Sequence, residues 1–306
     1  MTDAGTDVVE LQGPVPSSAG PVRGLAVAVV LLLLLGLAGL VTIDEARRPS
    51  AGVLAAALGA ADKTSKATSA RFSLTTKAAA GGSAAGMPGM GAEGVVSFTG
   101  DRRLRMTVHA FVFDLEMQVD GPTSYFKVPE QARKAGLTTP WVALDLKDLQ
   151  GPGVLGGSSL TGGGDPAATL LRLRTQGLVK SATEAGRETV RGVPTTVFHL
   201  VLDAEKFKDL LRQRVPDVPE AAFNEVLRLD DPLFDLYVDK DGLVRRHVQT
   251  LTTGLAAGGK QVAYTVVNTA DFFDFGTPVD VVVPPPDQVT RLGSLAELGK
   301  FFTGTG

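Results

Sequence analysis

Residues 103–120, RLRMTVHAFVFDLEMQVD, decide how this chain folds. Leu104, Met106, Val108 and Ala110 alternate with Arg103, Arg105, Thr107 and His109. Phe111, Phe113, Leu115, Met117 and Val119 then alternate with Val112, Asp114, Glu116 and Gln118. A period of two sends successive side chains to opposite faces, so both halves read as strands with one apolar face. The apolar parity flips between Ala110 and Phe111, and in a continuous strand that flip would turn the core face to water. The chain therefore turns or bulges there, which gives two consecutive antiparallel strands. Asp120-Gly121 is a second hairpin signal, leading into a strand over 124–128.

The same alternation recurs on either side. Strands are predicted over 71–75, 95–99, 141–146, 179–190, 195–203, 234–238, 243–253 and 260–269, with glycine-rich loops at 81–91 and 151–164. Asp165-Pro166 reads as an N-cap followed by proline in the first helical turn, with Gly177 as the stop. Alanine-rich residues 51–69 favour a helix, and 204–215 with 219–229 form a helical hairpin broken by Pro216 and Pro219. Hairpins outnumber βαβ units. The fold class is α+β: a large curved antiparallel sheet covered on one face by helices.

Residues 25–43, LAVAVVLLLLLGLAGLVTI, are uncharged, apolar and long enough to cross a bilayer as one helix. The expectation is an N-terminal transmembrane helix over 24–44, after a disordered tail over 1–23. A cleaved secretory signal is the rival reading, but the run exceeds a typical signal core and no A-x-A-like site follows it. Arg23 is the sole basic side chain before the run, whereas Arg47, Arg48, Lys63 and Lys66 follow it. A literal lysine and arginine count thus leaves the C-terminal part in the cytoplasm, although Asp44 and Glu45 offset the excess.

The chain holds no cysteine, which removes disulfides, thiolate metal sites and cysteine nucleophiles. A formal net charge of −3, with no basic stripe, makes nucleic acid an unsuitable partner. His109, His199 and His247 lie far apart, each in an alternating stretch, and read as outward-facing strand residues rather than metal ligands. Residues 151–156 match G-x-G-x-x-G, but glycine continues through Gly164 and no helix opens at once, so this is a loop. Ser158 and Ser159 lack the G-x-S-x-G elbow, and there is no G-K-[ST] or H-E-x-x-H motif. Asp114 and Glu116 read as a solvated strand face. No catalytic constellation emerges, and the chain is read as a non-enzyme without metal or cofactor.

The candidate ligand-facing residues are apolar positions on strands and helices. They are Leu104, Met106, Val108, Phe113, Leu115, Met117, Phe126, Phe198 and Leu200 on strands, and Leu170, Leu171, Leu211, Phe223 and Leu227 on helices. Two readings stay open for them: ordinary core, or the lining of an apolar cavity left between a curved sheet and its helices.

The order and spacing of several segments resemble the LppX/LprG-type envelope lipoproteins of actinobacteria. These segments are MQVDG at 117–121 with YFKVP at 125–129, PWVALD at 140–145, and GRETVRGVPTT at 186–196. LYVD at 236–239, DGLVRR at 241–246 and the closing DFFDFGTPV at 271–279 complete the set. The resemblance implies a LolA-like domain over 49–284 with a C-terminal tail over 285–306. It implies a half-open antiparallel barrel whose concave side, closed by helices, forms an apolar cavity for a lipid or acylated glycolipid. It further implies an extracytoplasmic domain tethered to the cytoplasmic membrane, against the lysine and arginine count. One departure stands out: Leu37-Ala38-Gly39-Leu40 has leucine where a lipidated cysteine is expected, so a membrane helix takes the place of the acyl anchor. The alternative reading is an envelope sensor or regulatory module that uses the same fold to bind another envelope protein.

Overall fold

The parity flip resolves into a hairpin. In a computed structural model, β3 (Arg103–Ala110) and β4 (Phe113–Asp120) pair antiparallel from Arg103 opposite Asp120 to Ala110 opposite Phe113. Leu104 faces Val119, Met106 faces Met117 and Val108 faces Leu115, so both apolar sets share one face as the alternation requires. The opposite face carries the ion pairs Arg103–Asp120 at 3.3 Å and His109–Asp114 at 2.9 Å. The structure describes residues 51–80, 90–100, 103–110, 113–128, 133, 136–145, 170, 173–214, 228–257, 260–293 and 297.

Around this hairpin the chain runs α1 (Ala51–Ser65), β1 (Ser69–Ala80), β2 (Met90–Ser97), β3, β4, β5 (Thr123–Lys127) and β6 (Trp141–Asp145). It continues with β7 (Val179–Val190), β8 (Val193–Leu202), α2 (Ala204–Arg214), β9 (Arg228–Leu229), β10 (Leu233–Asp239), β11 (Val244–Ala257), β12 (Lys260–Phe273) and β13 (Val289–Arg291). These form one open, curved 13-stranded sheet in the order β13-β6-β5-β4-β3-β2-β1-β12-β11-β10-β8-β7, with β9 paired to β11. Two meanders meet where β1 pairs antiparallel with β12, from Arg71 opposite Phe273 to Ala80 opposite Tyr264.

Helix α1 covers part of the inner face, against β7, β10 and β11. Ala57, Ala60, Ala61 and Thr64 are buried at i, i+3, i+4 and i+7, a stripe of small residues that lets the helix approach closely. The Thr64 hydroxyl donates to the Ala60 carbonyl at 2.8 Å and accepts from the Val244 amide at 2.8 Å. Helix α2 begins where the Asp203 carboxylate accepts from the Lys206 amide at 3.1 Å, and it buries Phe207 in the core.

Several sequence expectations need correction. The first helix ends at Ser65 rather than 69, because Thr68 takes a left-handed φ of 40° and the strand starts at Ser69. The second helix of the expected hairpin does not reach 229, since Arg228–Leu229 pairs with β11. The sheet is mixed rather than wholly antiparallel: within the expected tail, β13 pairs parallel with β6. The Leu292 amide donates to the Ala143 carbonyl at 3.0 Å and the Thr139 and Thr290 hydroxyls meet at 2.7 Å, so β13 covers an edge that β6 would expose. Gly177 ends a helical stretch with φ 62°, as expected, and the Leu178 amide donates to the Leu173 carbonyl. Residues 24–44, 146–169 and 215–227 lie outside the described residues. No helix among the described residues is long and apolar enough to cross a membrane.

Gly94 is the tightest of the described glycines. It lies between Phe72 of β1 and Met106 of β3, and a Cβ there would sit 2.2 Å from the Arg105 carbonyl oxygen and 2.7 Å from the Met106 Cβ. Gly59 of α1 has open space around a Cβ. Gly94→Ala is expected to cost about 1–3 kcal/mol through overpacking, whereas Gly59→Ala should stabilise by about 1 kcal/mol through helix propensity. Urea unfolding of both variants measures this, and an unchanged midpoint for Gly94→Ala would refute the close approach.

Candidate functional site

The strand registers lay the inner face out in rows. One row crosses from β12 to β6 as Phe272, Phe72, Gly94, Met106, Met117, Phe126 and Val142. A second holds Ala270, Leu74, Ala92, Val108 and Leu115, and extends over the other meander as His247, Leu236 and Phe198. A third joins Leu104, Val119, Ser124 and Leu144.

Most of the sequence-predicted residues meet here. Leu104, Met106, Met117, Phe126, Leu170, Phe198 and Leu200 are buried in one apolar cluster, with Val108 and Leu115 packed against it. Phe113 begins β4 opposite Ala110, but its side chain lies outside the described set. Leu171, Phe223 and Leu227 lie outside the described residues, as does the side chain of Leu211 on α2. The inner face therefore gathers residues from both meanders and from the segment around Leu170 into one apolar layer.

Polar atoms interrupt this layer, and the sequence reading missed them. Ser124 Oγ, His247 Nδ1 and Thr253 Oγ1 are buried without a hydrogen-bond partner. Ser124 shares a row with Leu144, while His247 and Thr253 share the inner parity of β11 with the buried Leu251. His247 corrects the expectation of outward-facing histidines. Its ring sits between Phe234 at 5.4 Å and Phe272 at 5.7 Å, only 5% exposed, and burial pushes its pKa down to about 4. Residues 246–253, RHVQTLTT, place polar side chains on both parities, so no amphipathic signal in the sequence marked the face.

His109 does face outward, exposed beside Asp114. His199 also lies on the outer face but is largely shielded, and its Nδ1 meets the Asp235 carboxylate at 2.5 Å. That hydrogen bond raises its pKa despite the opposing cost of burial. His199 Nε2 is buried without a partner. Near the seam, Asp271 accepts from Arg246 Nε at 2.6 Å and Nη2 at 2.9 Å, and from Arg191 Nε at 3.3 Å. Arg191 in turn stacks 4.0 Å over the Phe273 ring. Beside this network a groove of about 540 Å³ opens, lined by residues of β1, β2 and β3 with Phe273. No group of His, Asp or Glu among the described residues is arranged to hold a metal ion.

No protein-family model and no curated protein sequence matches the chain. Among solved structures, it is similar to the lipoprotein LppX of Mycobacterium tuberculosis at 15% identity, covering 76% of this chain and 100% of that one, with a TM-score of 0.45. LprF of Mycobacterium bovis follows at 16% identity over 78% of this chain and 99% of that one, with a TM-score of 0.42. A LolA superfamily protein of Nitrosomonas europaea aligns at 10% identity over 77% and 96% of the two chains, with a TM-score of 0.27. The group that the sequence segments resemble is thus represented among the structural neighbours.

The two shielded histidines act oppositely on stability. The folded pKa of His247 lies below its unfolded value, so the folded state resists protonation there and stability falls as pH drops from about 6.5 towards 4. The folded pKa of His199 is raised, so its pair with Asp235 stabilises fully below the unfolded value and is lost as pH rises through the folded one. Thermal melts across pH 4–8 should show His247→Phe flattening the acid-side loss and His199→Gln steepening it. Parallel curves for all three proteins would contradict both assignments.

Proposed function

We propose that the inner face holds the acyl chains of a lipid or acylated glycolipid, in a domain tethered to the cytoplasmic membrane by the helix over 24–44 and facing outward into the envelope. One observation carries this reading: an extensive apolar face contains buried polar atoms that the protein leaves unpaired. Buried hydroxyl and imidazole groups are ordinarily satisfied, and leaving one bare costs about 1–3 kcal/mol. A ligand with apolar chains and ester or hydroxyl groups meets both features. The chains lie along the rows through Met106, Met117 and Phe126, and the polar groups reach Ser124, His247 and Thr253. The drive is burial of acyl surface at about 25 cal/mol per Å². No chemical step is assigned, because among the described residues the inner face offers no nucleophile paired with a base. Such a tether confines delivery to what the linker after residue 44 can reach.

Native mass spectrometry with organic extraction of the segment from residue 49 onward, produced in an actinobacterial host, tests the proposal. A stoichiometric diacyl or triacyl species is expected. Met117→Asp, which puts a charge on the central row, should abolish retention. A lipid-free protein that also fails to take up a fluorescent fatty acid would overturn the reading in favour of a protein-binding module.

A further inference from the structure

On its outer face the sheet carries a second surface, opposite the apolar rows and independent of them. The groove of about 540 Å³ is lined by Arg71, Phe72, Glu93, Gly94, Val95, Arg105, Met106, Thr107 and Phe273. Phe72, Gly94 and Met106 belong to the inward parity, so main chain is what they present to the outer side. The outward side chains form the walls. Arg71 and Arg105 flank Val95 in register on the neighbouring strands, with Cα atoms about 10 Å apart, twice the strand spacing. Both guanidiniums can therefore reach one anion above Val95.

Nearby charges on this face are paired: Arg103 with Asp120, Lys127 with Glu116, His109 with Asp114. The two groove arginines differ. Arg71 has its nearest carboxylate oxygen, on Asp274, at 3.8 Å, longer than a hydrogen bond, and its side chain is 59% exposed. Arg105 is exposed and makes no ion pair among the described residues. Glu93 and Thr107 sit one row further along, opposite each other, and can accept from a hydroxyl. The groove thus offers two cations at one end and acceptors at the other, over a partly apolar floor.

The segment after β12 adds an independent feature. The Val282 amide donates to Gln118 Oε1 at 3.1 Å, and Gln118 pairs in register with Arg105. The strap is thereby pinned beside the groove, with Pro284 buried just beyond. Yet Val282 is 71% and Val283 46% exposed, the large apolar side chains that stand out to solvent among the described residues. Exposed apolar residues next to solvent-exposed cations are the combination that an anionic lipid surface rewards.

We infer that this outer face, the Arg71–Arg105 groove with the Val282–Val283 strap, docks on an anionic bilayer, taking a phosphodiester headgroup that bears hydroxyls between the arginines and Glu93. The full chain, held in phosphatidylcholine nanodiscs, tests this by co-flotation with added vesicles of phosphatidylcholine with or without phosphatidylglycerol. Capture by the acidic vesicles alone, weakening with salt, is expected. Arg71→Gln with Arg105→Gln should lower it about thirtyfold, two charges' worth of surface attraction. Val282→Ser with Val283→Ser should lower it at unchanged salt dependence. All these side chains are exposed, so each variant should melt with the parent. Equal capture by both vesicle types, or capture that survives loss of both arginines, overturns the inference. So does binding of soluble glycerophosphate without vesicle capture, which would make the groove a small-molecule site.

Discussion

The antiparallel seam between β1 and β12 is the constraint on which the rest depends. It joins a strand at the start of the domain to one near its end, and it is extended beyond the end of β12 by the Ser69 hydroxyl donating to the Thr277 carbonyl at 2.6 Å, across 208 residues. Without it, β1–β6 and β7–β12 would be separate meanders, with β1 and β12 as unpaired edge strands where the seam now lies. Phe72 opposite Phe272 puts aromatic bulk at the join, and Phe98 adds an edge contact 6.3 Å from Phe272. On the outer side Asp271 of β12 binds Arg246 of β11 and Arg191 of the β7–β8 turn, which fixes β12 within its own meander beside the seam. Removing one partner there would strand a nearly buried charge, so the network constrains register more than it adds net stability.

A single layer of strands must satisfy two environments at once. Over β4 and β5 it does so by being covered on both sides: Gln118, Thr123, Ser124, Tyr125 and Phe126 are all buried. Inner residues there meet the apolar cluster, while Gln118 on the outer parity meets the strap through Val282. Elsewhere the outer face stays wet and carries ion pairs. This is why polar residues such as Gln118 and Thr123 can be buried without belonging to the apolar interior.

Alternation made the strands legible, because a half-buried strand must alternate and residues 103–110 and 113–120 each do so. It also located the β3–β4 hairpin, since a parity flip has few physical remedies. Helix ends were read less well: 51–69 is alanine-rich and free of proline, and the left-handed φ at Thr68 marks the turn into β1. The residues 289–291 have no strand pattern of their own and become β13 by pairing with β6. The apolar part of the candidate site was visible for the same reason as the strands. Its polar part was not. His247 is inward because Ala270 and Leu236 are its register neighbours, a fact set by pairing across the sheet rather than by residues adjacent in the chain.

On the proposed lipid-binding reading, the spacing of the unpaired inner atoms limits what can occupy the interior. His247 and Thr253 lie on one strand, six residues apart, hence about 20 Å at the usual rise per residue. Ser124 sits on the other meander, beyond the seam. No single compact headgroup spans these points, and a plain hydrocarbon would leave each atom as bare as the protein does. Each unpaired atom costs about 1–3 kcal/mol, and together they approach the 5–15 kcal/mol by which a typical domain is stable. An occupant that relieves them must carry several polar groups distributed among its apolar chains, as multiply esterified lipids do and simple fatty acids do not.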